Sequence, residues 1–251
     1  MDLGIRGRRA LILGGSRGIG RAVAGTLAAE GANLAVCARK GWAAKRVASE
    51  AAAGWGVKAA GYCIGARDAS SAVALVERIT GELGAVDLLF GVTRRPVLED
   101  RNRLSWKDRL DDGFLGFRAT TETLLRGMRD RQWGRVLWMI PWPAPGTSAE
   151  RQLHSVTGAA LSAWLETVAA EVARDNVTLN VLKPAPVSRT ATSARSRGCD
   201  ARPASCRPPA AGESLSISEV AAAAAFLLSD PGGALCGKTI ELGRGACPGL
   251  Q

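Results

Sequence analysis

Tyrosine and histidine are nearly missing from this chain, which has one of each in 251 residues, Tyr62 and His154. A reaction that needs a phenol or an imidazole to move a proton therefore has one candidate of each kind. No apolar run reaches the length of a membrane-spanning helix, and the N-terminus lacks the charged, apolar and small-residue order of a secretory signal. A cytoplasmic protein with no membrane partner is the expectation. The cysteines Cys37, Cys63, Cys199, Cys206, Cys236 and Cys247 are scattered without a C-x-x-C pair. That spacing argues for reduced thiols and against a metal site or redox motif.

Apolar material is ample: 47% of the residues are hydrophobic. This suits one α/β domain over 1–251 and is short for two. The net charge is +10 with a pI near 10.0. The arginines are spread over many segments instead of forming one stripe, so nucleic acid is not expected as a partner. A small anionic molecule fits that charge better.

The chain is organised around Leu13-Gly14-Gly15-Ser16-Arg17-Gly18-Ile19-Gly20. Ahead of it, 9–13 is a short apolar run that reads as a buried strand. Behind it, Ile19, Val23, Ala24 and Leu27 recur at helical spacing. A glycine-rich turn between strand and helix lets a phosphate approach the backbone and meet the free N–H groups of the helix's first turn. Gly14, Ser16, Arg17, Gly18, Ile19 and Gly20 are the candidate contacts.

Strand and helix patterns alternate to the end of the chain. Strands are expected at 33–38, 57–64, 86–90, 135–140, 177–182 and 238–242. Helices are expected at 42–53, 69–83, 105–131, 150–174 and 218–228. This is a Rossmann-like, doubly wound parallel sheet of about seven strands in three α/β/α layers. The stretch 188–216 is rich in Arg, Ser, Ala and Pro with little apolar periodicity, and reads as a flexible loop.

The glycine spacing and the order of elements resemble the short-chain dehydrogenase/reductase family over nearly the whole chain. The resemblance implies a cleft for a nicotinamide dinucleotide, with 188–216 as a lid over the substrate. At the end of the second strand, Ala38 stands where an acid would bind the ribose 2′-hydroxyl of NAD, and Arg39 follows it. With Arg17, that arginine favours a 2′-phosphate, so NADP(H) is the expected cofactor. Pro184 and Val187 belong to a partly kept turn that borders it. Other contacts depart from the pattern: Gly65 replaces an adenine-binding acid, and Gly91-Val92-Thr93-Arg94 replaces Asn-Asn-Ala-Gly. Weakened binding, or its loss, stays open.

The resemblance also implies a working set of Asn, Ser, Tyr and Lys, with the lysine lowering the tyrosine's pKa. In this chain Gly113, Pro141, His154 and Gly158 stand at those places. Tyr62 lies in the third strand and cannot substitute. His154, at the proton-donor position, is the one catalytic candidate. Arg94, Trp138, Pro141, Trp142 and Lys183 are the expected lining of the substrate pocket. Arg95 could join them, and Trp164 is expected to pack in the core.

Three readings follow. In the first, the fold and cleft are kept for changed chemistry on a small, aromatic or polycyclic substrate: cyclisation, cycloaddition, isomerisation or imine reduction. The second is a non-catalytic partner of an active paralogue, and the third a carbonyl reductase with His154 as acid. The segments 105–131 and 150–174 match helices through which the family pairs, so a homodimer or homotetramer is expected.

Overall fold

The computed structural model describes residues 1–64, 69–93, 114–140, 148–188 and 214–243. In chain order they form β1 (Arg9–Leu13), α1 (Gly18–Ala29), β2 (Asn33–Ala38), α2 (Gly41–Trp55), β3 (Ala59–Cys63) and α3 (Ala69–Leu83). Next come β4 (Leu88–Val92), α4 (Gly116–Asp130), β5 (Gly134–Met139), α5 (Ser148–Val172) and β6 (Val177–Pro184). The last elements are β7 (Val187–Ser188), β8 (Leu215–Ser216), α6 (Ile217–Leu227) and β9 (Thr239–Leu242).

Seven of the strands build one sheet in the order β3-β2-β1-β4-β5-β6-β9. Every neighbouring pair is parallel. Parallel neighbours need crossover connections, and the helices that make them cover both faces. One core holds Ile12, Leu27, Val36, Phe90 and Leu137 and takes in α1, α2 and α6. The other holds Leu11, Ile79, Leu89, Trp138 and Leu165 and takes in α3, α4 and α5. The expected three-layer, doubly wound architecture is the one found. Strand order reverses between β1 and β4, and an open sheet of this kind has its crevice there, at the carboxyl edge.

Element boundaries differ from expectation in informative places. The fourth strand begins at Leu88, because Asp87 sits beneath it as an ionic anchor. Its carboxylate accepts the Arg9 backbone N–H at 3.0 Å and lies 3.4 Å from the Arg131 guanidinium. The sixth strand runs on to Pro184, which brings Lys183 into the sheet. Of the expected helix 105–131, α4 is the part that falls within the described residues.

The loop expected at 188–216 is framed by structure at both ends. β7 and β8 pair in parallel, Val187 with Leu215 and Ser188 with Ser216. Strands this short leave no periodicity in the sequence. Ser216 then caps α6: its Oγ accepts from the Glu219 N–H at 3.1 Å, and the Glu219 carboxylate accepts from the Ser216 N–H at 2.7 Å. Such a reciprocal cap is worth about 1 kcal/mol. The stretch 189–213 lies outside the described residues.

Candidate nucleotide and substrate cleft

The turn between β1 and α1 is held to the second strand by its own backbone. The N–H groups of Gly14 and Gly15 both donate to the Cys37 carbonyl, at 2.9 and 3.2 Å. Gly14 has φ +91° and Gly18 φ +55°, the left-handed region that side chains rarely enter. A Cβ on Gly20 would run into the Gly14 carbonyl oxygen, so helix and turn can approach this closely only without one. Beyond Gly18 nothing lies within 4 Å of where a Cβ would stand. Arg17 is the extended N-cap residue of α1 and gives no side-chain cap, which leaves the first-turn N–H groups facing outward. Open space, free donors and the positive end of a helix suit a phosphate.

Arg17 and Arg39 are both exposed on this rim, and Ser16 and Ile19 are half-buried within it. The Arg39 backbone is fixed from the next strand, where the Cys63 thiol donates to its carbonyl at 3.2 Å. No carboxylate stands at the end of β2, where Ala38 is buried. The phosphate end of the cleft therefore fits an NADP-type ligand: donors in the turn, two cations on the rim and no acid to repel a 2′-phosphate. Gly65 lies outside the described residues.

At the opposite end, α5 crosses the carboxyl edge of β5. Gly158 on this helix is buried, and a Cβ there would come 3.2 Å from Ile140 Cγ2. Ile140, itself 5% exposed, therefore stands tight against position 158 and would have to give by a few tenths of an ångström to admit a Cβ there. Nothing in the sequence signals this contact, which joins residues from two elements. His154 lies one turn before Gly158 on the same helix, and its side chain is outside the described residues. So are Arg94, Arg95, Gly113, Pro141 and Trp142.

Trp138 is not a wall of the substrate crevice. It is fully buried in the core between β5 and α4, with its Nε1 donating to Thr121 Oγ1 at 3.0 Å. Phe117 packs on the ring at 4.5 Å between centroids. The indole occupies the space above Gly91, its partner across β4, where any Cβ would collide with it. Glycine at 91 and tryptophan at 138 thus fit together as one pair of volumes. Trp164 packs as expected, half-buried and edge-on to Phe114 at 6.2 Å. Tyr62 is buried in β3, and its hydroxyl donates to the Glu82 carboxylate at 2.9 Å. That burial, reinforced by the bond to Glu82, pushes its pKa well above the ordinary phenol range. Lys183 is half-buried near the end of β6, Pro184 closes that strand, and Val187 opens β7.

Among the described residues no helix is long and apolar enough to cross a membrane, and no cluster of His, Cys, Asp and Glu could hold a metal ion. The chain resembles 3-oxoacyl-[acyl-carrier-protein] reductase FabG of Escherichia coli at 28% identity over 246 residues, 97% of this chain and 98% of the relative. The Aquifex aeolicus FabG is 28% identical over 248 residues, 98% of this chain and 99% of the relative. Among solved structures, YwfH, an NADPH dependent reductase involved in bacilysin biosynthesis, superposes with a TM-score of 0.76 at 20% identity. That likeness covers 96% of this chain and 100% of YwfH, and shows the fold. A family model described as short chain dehydrogenase matches residues 8–199. With most of its length matched, and the glycine turn standing between β1 and α1, this chain belongs to the short-chain dehydrogenase family.

Proposed function

We propose that this chain is an NADP(H)-binding oxidoreductase whose acceptor arrives already activated, as an imine or iminium ion, and not as a simple ketone. One observation carries the reading: a complete phosphate-binding turn at one end of the cleft, and Gly158 backed by Ile140 at the other. The first half keeps what the phosphates of a dinucleotide need. At the places of the family's tyrosine and lysine the second has His154 and Gly158, so the phenol–ammonium pair that makes a strong acid is missing there. The reductase relatives support hydride chemistry, and the loss of the tyrosine–lysine pair narrows what can accept the hydride.

When bound, the nicotinamide supplies the hydride. The turn's N–H groups bind the pyrophosphate, and Arg17 and Arg39 fix the 2′-phosphate. His154, at the tyrosine's place, exchanges a proton near neutral pH without a neighbouring lysine. Arg94, Pro141, Trp142 and Lys183 belong to the same reading as lining of the substrate side, with 188–216 over it. Cyclisation and cycloaddition on an aromatic wall lose their main support with Trp138 in the core. Pairing of two copies through α4 and α5 is part of the proposal, supported by exposed Leu115 at the N-cap of α4 and Val156 on α5.

A second reading, a non-catalytic partner subunit, is favoured by the same Ile140–Gly158 contact, because a glycine with an isoleucine close against it is what a retired lysine position would show. NADPH fluorescence titration followed by turnover assays separates the readings. Binding with turnover of a cyclic imine but not of simple ketones is expected. Binding without any turnover selects the partner subunit, and no binding overturns both. Ketone reduction at ordinary rates would restore the carbonyl-reductase reading with His154 as acid.

A further inference from the structure

The second half of the cleft is not without a cation; the cation has changed element. In β6, Val177, Leu179 and Val181 all enter the core that contains α4 and α5. Leu182 enters the opposite core. Continuing that alternation puts Lys183 on the α5 side of the sheet, beside the last residues of β5. The register makes the neighbour explicit. Met139 pairs with Leu182, and the Ile140 N–H donates to the Leu182 carbonyl at 2.9 Å, so Ile140 and Lys183 stand side by side. Ile140 is also the residue packed against Gly158. Lys183 is therefore the strand residue next to the space that α5 leaves without a charge.

Its surroundings leave that charge available. Glu241 stands opposite Lys183 on β9, yet Lys183 makes no ion pair among the described residues. It is half-buried, as suits a lysine whose stem lies against the sheet while its ammonium reaches towards the edge. β6 lies three positions from β1 in the sheet, about 14 Å at ordinary strand spacing. A dinucleotide held at the turn after β1 would have to extend along this edge to reach Lys183.

We propose that Lys183 binds the hydroxyl-bearing nicotinamide-ribose half of the dinucleotide, supplying from β6 the cation that α5 lacks at Gly158. This rests on the NADP(H) reading above. The test compares two probes: NADPH, which has that half, and adenosine 2′,5′-bisphosphate, which has only the other. Binding of each is measured for the unaltered chain, Lys183→Met, which keeps the apolar stem, and Lys183→Arg. Lys183→Met should weaken NADPH by about tenfold or more, the worth of a charged hydrogen bond, and leave the bisphosphate within about twofold. Lys183→Arg should recover most of the NADPH affinity. An equal loss for both probes, or no loss for either, overturns the assignment. If the unaltered chain binds neither probe, the NADP(H) reading itself falls. If it binds the bisphosphate as tightly as NADPH, that reading stands and the role of Lys183 does not.

Discussion

The indole of Trp138 lies over Gly91, directly across the β4–β5 ladder, in the space a side chain at 91 would need. The two positions are therefore coupled. Gly91→Ala should cost about 1–3 kcal/mol by overpacking, and less than about 1 kcal/mol once Trp138→Leu has made room. Denaturant unfolding of the two single variants and the double variant measures the coupling. Additive losses would show that the contact carries no energy.

Tyr62 offers a pH test free of overlap, because no other tyrosine contributes to its signal. Burial and the bond to Glu82 raise its pKa. The folded chain should therefore show no tyrosinate absorbance as pH passes the ordinary value of about 10. The sign for stability follows. Above that pH the unfolded chain releases the phenol proton and the folded chain keeps it, so stability falls as pH rises through and beyond about 10. Tyr62→Phe should flatten that fall. A normal titration in the folded chain would contradict the burial.

Restoring the family's residues one for one should not restore carbonyl reduction. In His154→Tyr with Gly158→Lys, the introduced lysine meets Ile140 Cγ2, which stands 3.2 Å from the Cβ position. NADPH consumption with a simple ketone should stay at background in that double variant. Adding Ile140→Gly should open the path for the lysine and raise ketone turnover above it. Activity in the double variant alone would mean that Ile140 yields.

Two glycines of α1 should respond oppositely to the same methyl group. At Gly20 it meets the Gly14 carbonyl, and at Gly25 it meets nothing within 4 Å. Gly20→Ala should weaken NADPH binding by about tenfold or more as the turn's donors shift. Gly25→Ala should leave binding unchanged and add about 0.5–1 kcal/mol of stability. Thermal melting and NADPH titration on both variants check the pair. Equal binding in the two would detach the turn from nucleotide recognition.

The sheet was legible because its strands are continuous apolar runs between helical patterns, and the Leu13–Gly20 turn because glycines at that spacing leave few other uses. The place of Trp138 is not legible for a related reason. Every residue of β5 is buried, so no alternation of polar and apolar residues marks which face each side chain takes. Ile140 escaped notice because its importance comes from Gly158, which is distant in sequence. The start of α6 was within reach, since Ser216 followed three residues later by Glu219 has the form of a reciprocal cap.

The β7–β8 ribbon reaches past its two residue pairs. Since it already brings the ends of the intervening stretch together, added length there costs little: doubling a closed loop adds only about 0.6 kcal/mol. Changes of length between Ser188 and Leu215 therefore carry almost no penalty for the seven-stranded sheet. Among relatives, the interval between the two ribbon strands is then where length can vary most while the scaffold keeps its shape.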